Sequence, residues 1–241
     1  MHLLDTPVKI VRDVISGVCD LIYPPVCLGC GQAGNEYLCA KCIEKIDVIK
    51  LPFCRKCGSP CESSICFECK TREYVFECAC GAGIFEGVLR EAIHAFKYKN
   101  HIMLADPFAE IMARCLPNTH LAAKVDLVMP IPIHSSRKLE RGFDQAVELT
   151  RRFCRLVSLP AEYDVLYKHK KTRHQVELSL ELRAINLAGA FRVRNAEKIR
   201  GKRILLIDDV FTTGATLNEA ARTLLDAGAK SVRGYMLARS I

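Results

Sequence analysis

The sequence predicts an α/β protein: a parallel sheet flanked by helices, preceded by a small N-terminal module held together by metal. Three observations carry this prediction. Four Cys-x2-Cys pairs are packed between residues 27 and 69, helical stretches alternate with short apolar runs from residue 81 onward, and two adjacent carboxylates end one of the most apolar of those runs. Apolar residues make up 50% of the 241, enough to bury a core and too many for a disordered or collagen-like chain.

Residues 3–22 place Leu4, Val8, Val11, Ile15, Val18 and Ile22 at steps of four and three, along one face of a helix. We read residues 1–22 as an amphipathic helix docked on the rest of the protein. Its polar face is short of Lys and Arg, which weighs against a membrane-surface role. Asp5, Lys9, Arg12 and Asp13 interrupt any signal-peptide core, and no segment reaches the roughly 20 apolar residues of a membrane span. The expected location is therefore cytoplasmic, where paired cysteines stay reduced and serve metal or redox chemistry.

Residues 23–80 form the cysteine module. Cys27-x2-Cys30 is followed after eight residues by Cys39-x2-Cys42, and Cys54-x2-Cys57, Cys66-x2-Cys69 repeat the pattern 27 residues later, with Gly31 and Gly58 obeying the same displacement. Four soft ligands suit tetrahedral zinc, so two structural Zn²⁺ sites are expected from these eight cysteines. Disulfides or an iron–sulfur cluster are the competing readings, and an interleaved pairing of the four turns has the same spacing. Closed four-sulfur sites leave no open coordination position, so the module is structural or a docking platform. Cys19, Cys61, Cys78, Cys80, Cys115 and Cys154 are left over as ordinary thiols, although Cys61 or Cys78 could substitute as a ligand.

Charge is uneven along the chain. Residues 1–80 carry 9 basic and 10 acidic side chains, residues 81–241 carry 26 and 17, and two zinc ions on eight thiolates would lower the formal net charge from +8 to +4. A general polyanion-binding role is thus weakly supported.

In 81–241, helices are expected at about 88–97, 104–115, 140–157 and 216–227, and strands at 126–133, 203–210 and 231–237. Residues 158–202 are polar and basic, with Lys168, Lys170, Lys171 and Arg173 close together, and read as a loop or short hairpin. The most specific stretch runs from Arg203 to Thr216. Ile204 to Ile207 make a buried strand, and Asp208 and Asp209 stand at its carboxyl end, where ligands bind in open α/β sheets. Thr212, Thr213, Gly214, Ala215 and Thr216 then turn into a helix, offering amides and hydroxyls to a phosphate monoester. The acidic pair suits a diol or Mg²⁺. Neither a P-loop nor a dinucleotide fingerprint is present.

This strand, acidic pair and Thr-Thr-Gly-Ala-Thr loop resemble the phosphoribosyl pyrophosphate (PRPP) signature of type I phosphoribosyltransferases. With the cysteine module in front, the chain resembles the ComF/GntX family, which pairs a double zinc ribbon with a type I phosphoribosyltransferase-like domain and is linked to DNA uptake in natural competence. The likeness covers about 23–239 and includes Phe96-Lys-Tyr98, Val128 to His134, Arg141-Gly-Phe-Asp-Gln145, Thr172-Arg-His-Gln175, Arg183 and Asn186. It implies that Asp208 and Asp209 hold the ribose hydroxyls and metal, and that Thr212 to Thr216 hold the 5-phosphate. It further implies that His134, Ser135, Ser136 and Arg137 form the pyrophosphate loop, with Arg141, Arg173 and Lys97 as further cations. Asp144 stands where the family usually has Asn, an added carboxylate near the diphosphate end.

The chemistry implied is displacement of Mg-bound diphosphate from carbon 1 of ribose, in which Arg137, Arg141 and the acidic pair position groups and offset charge. Two readings follow. One is a phosphoribosyltransferase acting on PRPP and an unidentified acceptor; the other is a non-catalytic competence factor that binds single-stranded DNA or docks other competence proteins and keeps a vestigial or regulatory PRPP site. A homodimer is expected by analogy with the fold.

Overall fold

The computed structural model describes residues 26–99, 101–119, 121, 124–172 and 186–241. The helix expected over 3–22, and Arg173, His174, Gln175 and Arg183, lie outside the described residues. The chain divides into two compact units, Met1–Lys45 and Ile46–Ile241.

Each unit holds one cysteine quartet, and the two quartets are built alike. In the first, Gly31 N–H donates to the Cys27 carbonyl at 2.8 Å and Cys27 N–H to the Gln32 carbonyl at 2.9 Å; in the second, Gly58 donates to Cys54 at 2.8 Å and Cys54 to Ser59 at 2.7 Å. A short helix then starts on the third cysteine of each set: α1 (Ala40–Glu44) after Cys39, and α2 (Phe67–Thr71) after Cys66. The repeat in sequence is therefore a repeat in structure.

The second unit continues through β1 (Ala79–Ile84), α3 (Gly87–Tyr98), α4 (Ala105–Cys115), β2 (Leu127–Pro130), α5 (Ser135–Arg141), α6 (Gln145–Val157), β3 (Leu166–Lys168), β4 (Phe191–Val193), β5 (Arg203–Phe211), α7 (Ala215–Asp226) and β6 (Ser231–Arg239). Four strands form one sheet in the order β1-β6-β5-β2, and every pairing is parallel. All four carboxyl ends therefore open on one edge. β5 lies between β6 and β2, and its Ile204 to Ile207 are each no more than 1% exposed, as an interior strand covered on both faces requires. Helices supply the cover: Leu89, Ile93 and Phe96 from α3, Phe108 and Met112 from α4, and Leu149 and Phe153 from α6 are all buried.

Two departures from the sequence reading have physical causes. β1 escaped notice because Ala-Cys-Gly-Ala-Gly-Ile has almost no strand-forming side chains. Its glycines are demanded by crowding: a Cβ on Gly83 would sit 2.8 Å from Leu89 Cδ2. The helix expected over 140–157 is two helices, because Gly142 turns left-handed at φ 78° and Asp144 starts α6 afresh. In the described part of 158–202 the expected short hairpin is present: β3 and β4 pair antiparallel.

Candidate functional site

The carboxyl end of β5 carries Asp208 and Asp209 in consecutive positions, and both line one cavity. Asp209 is only 8% exposed, and Lys97 from the last turn of α3 places Nζ 2.7 Å from its Oδ1. Asp208 accepts the Asp209 N–H on Oδ1 at 2.8 Å. Burial pushes the Asp208 carboxyl up, the neighbouring Asp209 carboxylate adds to the rise, and Lys97 works against it.

After the pair, the chain turns through Thr212 and Thr213 into Gly214 at φ 78°, the N-cap of α7. The Thr213 Oγ1 accepts the Ala215 N–H at 3.4 Å, and the loop leads into the first turn of α7, the electropositive end of a 12-residue helix. Asp208, Thr212, Gly214, Ala215 and Thr216 line a small depression of about 30 Å³ at this point.

Next to it lies a cavity of about 380 Å³, also bounded by Asp208, Asp209, Thr212 and Thr216, and walled by Lys97, Arg137, Arg141 and Lys168. Arg137 and Arg141 sit one turn apart on α5 and reach the cavity together; Arg137 Nη2 donates to the Thr172 carbonyl at 3.2 Å, and Arg141 lies 5.1 Å from the centre of the Tyr98 ring. Phe85, His94 and Tyr98 complete the aromatic part of the wall. Four cationic side chains and two carboxyl groups thus line the cavity, with Lys97 paired to Asp209.

The His134 ring accepts the Ser136 N–H at 3.2 Å and pairs with its hydroxyl at 2.8 Å, so His134, Ser135 and Ser136 build the start of α5, and the cavity wall at the turn after β2 is Ile131, Pro132 and Ile133. Asp144 is buried, and its two oxygens accept the backbone N–H groups of Ile133 at 3.0 Å and Val147 at 3.3 Å. Its carboxylate caps α6 and ties that helix to the turn.

Lys168 lines the cavity but is not among the site residues expected from the sequence, nor are Phe85, His94 and Tyr98. It belongs to a run of basic residues that reads as a solvated loop, and only the pairing of β3 with β4 aims it into the cavity. Burial, with Arg137 nearby, pushes its pKa down to about 8, against an upward pull from Asp208.

Both cysteine quartets fit a metal ion. The four sulfurs of Cys27, Cys30, Cys39 and Cys42 lie within 4.8 Å of one another, as do those of Cys54, Cys57, Cys66 and Cys69. A zinc–sulfur bond of about 2.3 Å gives a tetrahedral edge of about 3.8 Å, and the Cys30–Cys39 and Cys57–Cys66 sulfurs are 3.9 and 3.7 Å apart. The pairing is sequential, not interleaved. The Cys39 and Cys66 amides each point at the first sulfur of their set, at 3.3 Å, as hydrogen bonds that favour thiolates.

Comparison with known proteins agrees with this layout. A phosphoribosyl transferase domain model matches residues 106–240 and a double zinc ribbon domain model matches residues 18–79. The chain belongs to the phosphoribosyl transferase domain family, with a double zinc ribbon in front, the combination that marks the ComF/GntX group. Among its relatives are Competence protein F of Haemophilus influenzae, 28% identical over 218 residues (89% of this chain, 95% of that protein), and DNA utilization protein YhgH of Escherichia coli, 28% identical over 158 residues (64% and 68%). Competence protein ComFC of Bacillus subtilis is 29% identical over 161 residues (65% and 62%). Solved structures align weakly; the glutamine PRPP amidotransferase of B. subtilis does so with a TM-score of 0.36 at 20% identity, over 54% of this chain and 25% of that one.

Proposed function

We propose that this protein binds PRPP with Mg²⁺ at the carboxyl edge of its sheet, transfers the phosphoribosyl group to an acceptor, and serves DNA uptake. The observation that carries the reading is one cavity that brings Asp208, Asp209, Thr212 and Thr216 together with Lys97, Arg137, Arg141 and Lys168. The acidic pair would hold the ribose hydroxyls and Mg²⁺, the loop the 5-phosphate, and the arginines the diphosphate, for which bidentate guanidinium groups are suited. Mg²⁺ would supply charge neutralisation for the leaving diphosphate. In the transfer, the bond from carbon 1 to the diphosphate oxygen breaks with its electron pair going to diphosphate, and a lone pair of the acceptor forms the new bond to carbon 1 as its proton passes to water. The link to DNA uptake rests on the relatives named as competence and DNA utilization proteins.

The test is diphosphate release from PRPP across a panel of nucleobase, nucleotide and DNA acceptors. Release that disappears in Asp208→Asn protein supports transfer, and no release with any acceptor removes it. The second reading, a single-stranded DNA-binding competence factor, is favoured by the net +9 of residues 81–241. Phosphate contacts would make DNA affinity fall steeply with log salt; a flat dependence counts against it.

A further inference from the structure

The Thr212–Gly214 loop rests on the segment that carries the second cysteine quartet. Two chains of contact join them. In one, α2 ends two residues after Cys69, and three residues further Tyr74 donates its hydroxyl to the Thr213 carbonyl at 2.9 Å, while Val75 N–H donates to Asn218 Oδ1 in the first turn of α7 at 2.7 Å. In the other, Arg239 at the end of β6 donates Nη2 to Cys57 Sγ at 3.3 Å and lies 4.6 Å from the centre of the Phe211 ring. The two chains meet at Gly214, where an added Cβ would stand 2.8 Å from Phe211 Cζ and 3.1 Å from Tyr74 Cε1. Phe76, fully buried, fills the space between, stacked on Tyr74 at 4.7 Å and edge-on to Phe211 at 6.3 Å.

Arg239 is the telling residue. It is 3% exposed, and its Nε and Nη1 have no hydrogen-bond partner among the described residues. The groups that face its charge are the Phe211 ring and the Cys57 sulfur. Four thiolates on one Zn²⁺ carry a net charge of about −2, which the guanidinium at Cys57 offsets.

The Tyr74 bond acts on geometry. A trans peptide is planar, with its N–H opposite its carbonyl. Pinning the Thr213 carbonyl to Tyr74 therefore turns the Gly214 N–H the other way, away from Tyr74.

We propose that Tyr74 and Arg239 are positioning residues through which metal at Cys54, Cys57, Cys66 and Cys69 fixes the phosphate-binding conformation of the Thr212–Gly214 loop. With the metal gone, nothing holds the four sulfurs together, so Cys57 no longer fixes Arg239 beside the Phe211 ring, the segment after α2 loses its anchor, and the loop loses both supports. The ligand half of this inference rests on the phosphoribosyl reading; the coupling itself does not.

The experiment uses the full chain carrying Cys39→Ser/Cys42→Ser, so that its zinc is that of the second quartet, and follows backbone hydrogen exchange in peptides 208–218 and 145–157. Titrating out zinc with a chelator, quantified by a metal indicator, is expected to speed exchange in 208–218 in step with zinc release while 145–157 keeps its protection. Tyr74→Phe keeps the ring and loses the hydroxyl. Zinc-loaded Tyr74→Phe protein is expected to show faster exchange in 208–218 and about five-fold weaker binding of ribose 5-phosphate, the loss of one net hydrogen bond, with inorganic diphosphate binding unchanged. Zinc release or Tyr74→Phe that leaves 208–218 unchanged overturns the proposal, as does a rise that spreads equally to 145–157. Protein that shows the coupling yet binds no ribose 5-phosphate supports this inference and overturns the phosphoribosyl reading alone.

Discussion

Gly214, at the depression beside α7, and Lys168, in the wall of the larger cavity, each make a prediction of their own. Gly214 sits at φ 78° against two aromatic rings. Gly214→Ala adds backbone strain and a clash together, so we expect a loss of about 1–3 kcal/mol of stability and of PRPP binding, read by denaturant unfolding and calorimetry. Lys168, with its pKa pushed down to about 8 by burial, holds an anion only as the ammonium. Affinity for PRPP should therefore be full below pH 7 and fall as pH rises through 8, and Lys168→Arg should flatten the fall because guanidinium stays charged. An unchanged pH profile in that variant would remove Lys168 from the binding set.

At the scale of elements, the turn between β2 and α6 depends on one buried carboxylate. Asp144→Ala leaves the Ile133 and Val147 amides without partners and should cost about 1–2 kcal/mol, whereas Asp144→Asn, which keeps a carbonyl oxygen, should cost less. The sequence made the central elements legible because their signals are strong: Ile204 to Ile207 followed by two aspartates reads as a buried strand with a ligand edge, and the four Cys-x2-Cys turns read as metal sites. What escaped it depends on long-range packing. β1 is a strand because β6 pairs with it and Leu89 presses on it, not because Ala-Cys-Gly-Ala-Gly-Ile prefers to extend. Lys168 faces the cavity because β4 holds β3, and nothing in the run Lys168-His-Lys-Lys171 distinguishes the residue that turns inward. The break in the helix over 140–157 was the exception: Gly142 and Asp144 are its local signal, and they stand in the sequence.

The sheet as a whole is fastened at the amino ends of β2 and β5 by Asp126, which accepts the Arg203 backbone N–H and Nε at 2.8 Å each. These bonds hold the Asp126 carboxyl down at about 2. A depressed carboxyl stabilises the fold above its unfolded pKa near 4 and loses that contribution as pH falls through about 2. Acid unfolding of the wild type should thus reveal a step between pH 4 and 2 that Asp126→Asn lacks, with the two proteins converging below pH 2. Metal analysis should return two zinc ions per chain and one after Cys66→Ser/Cys69→Ser, in keeping with two separate four-sulfur sites. No helix among the described residues is long and apolar enough to cross a membrane, and the cation-rich cavity lies on the sheet edge.

The central claim is that this edge is a working phosphoribosyl site, and calorimetric titration of zinc-loaded protein with PRPP and Mg²⁺ tests it most directly. The account predicts saturable binding by the wild type that is lost in Asp208→Asn/Asp209→Asn protein of unchanged fold. Folded, zinc-replete wild-type protein that takes up no PRPP, or binds it equally well without the two carboxylates, would contradict it.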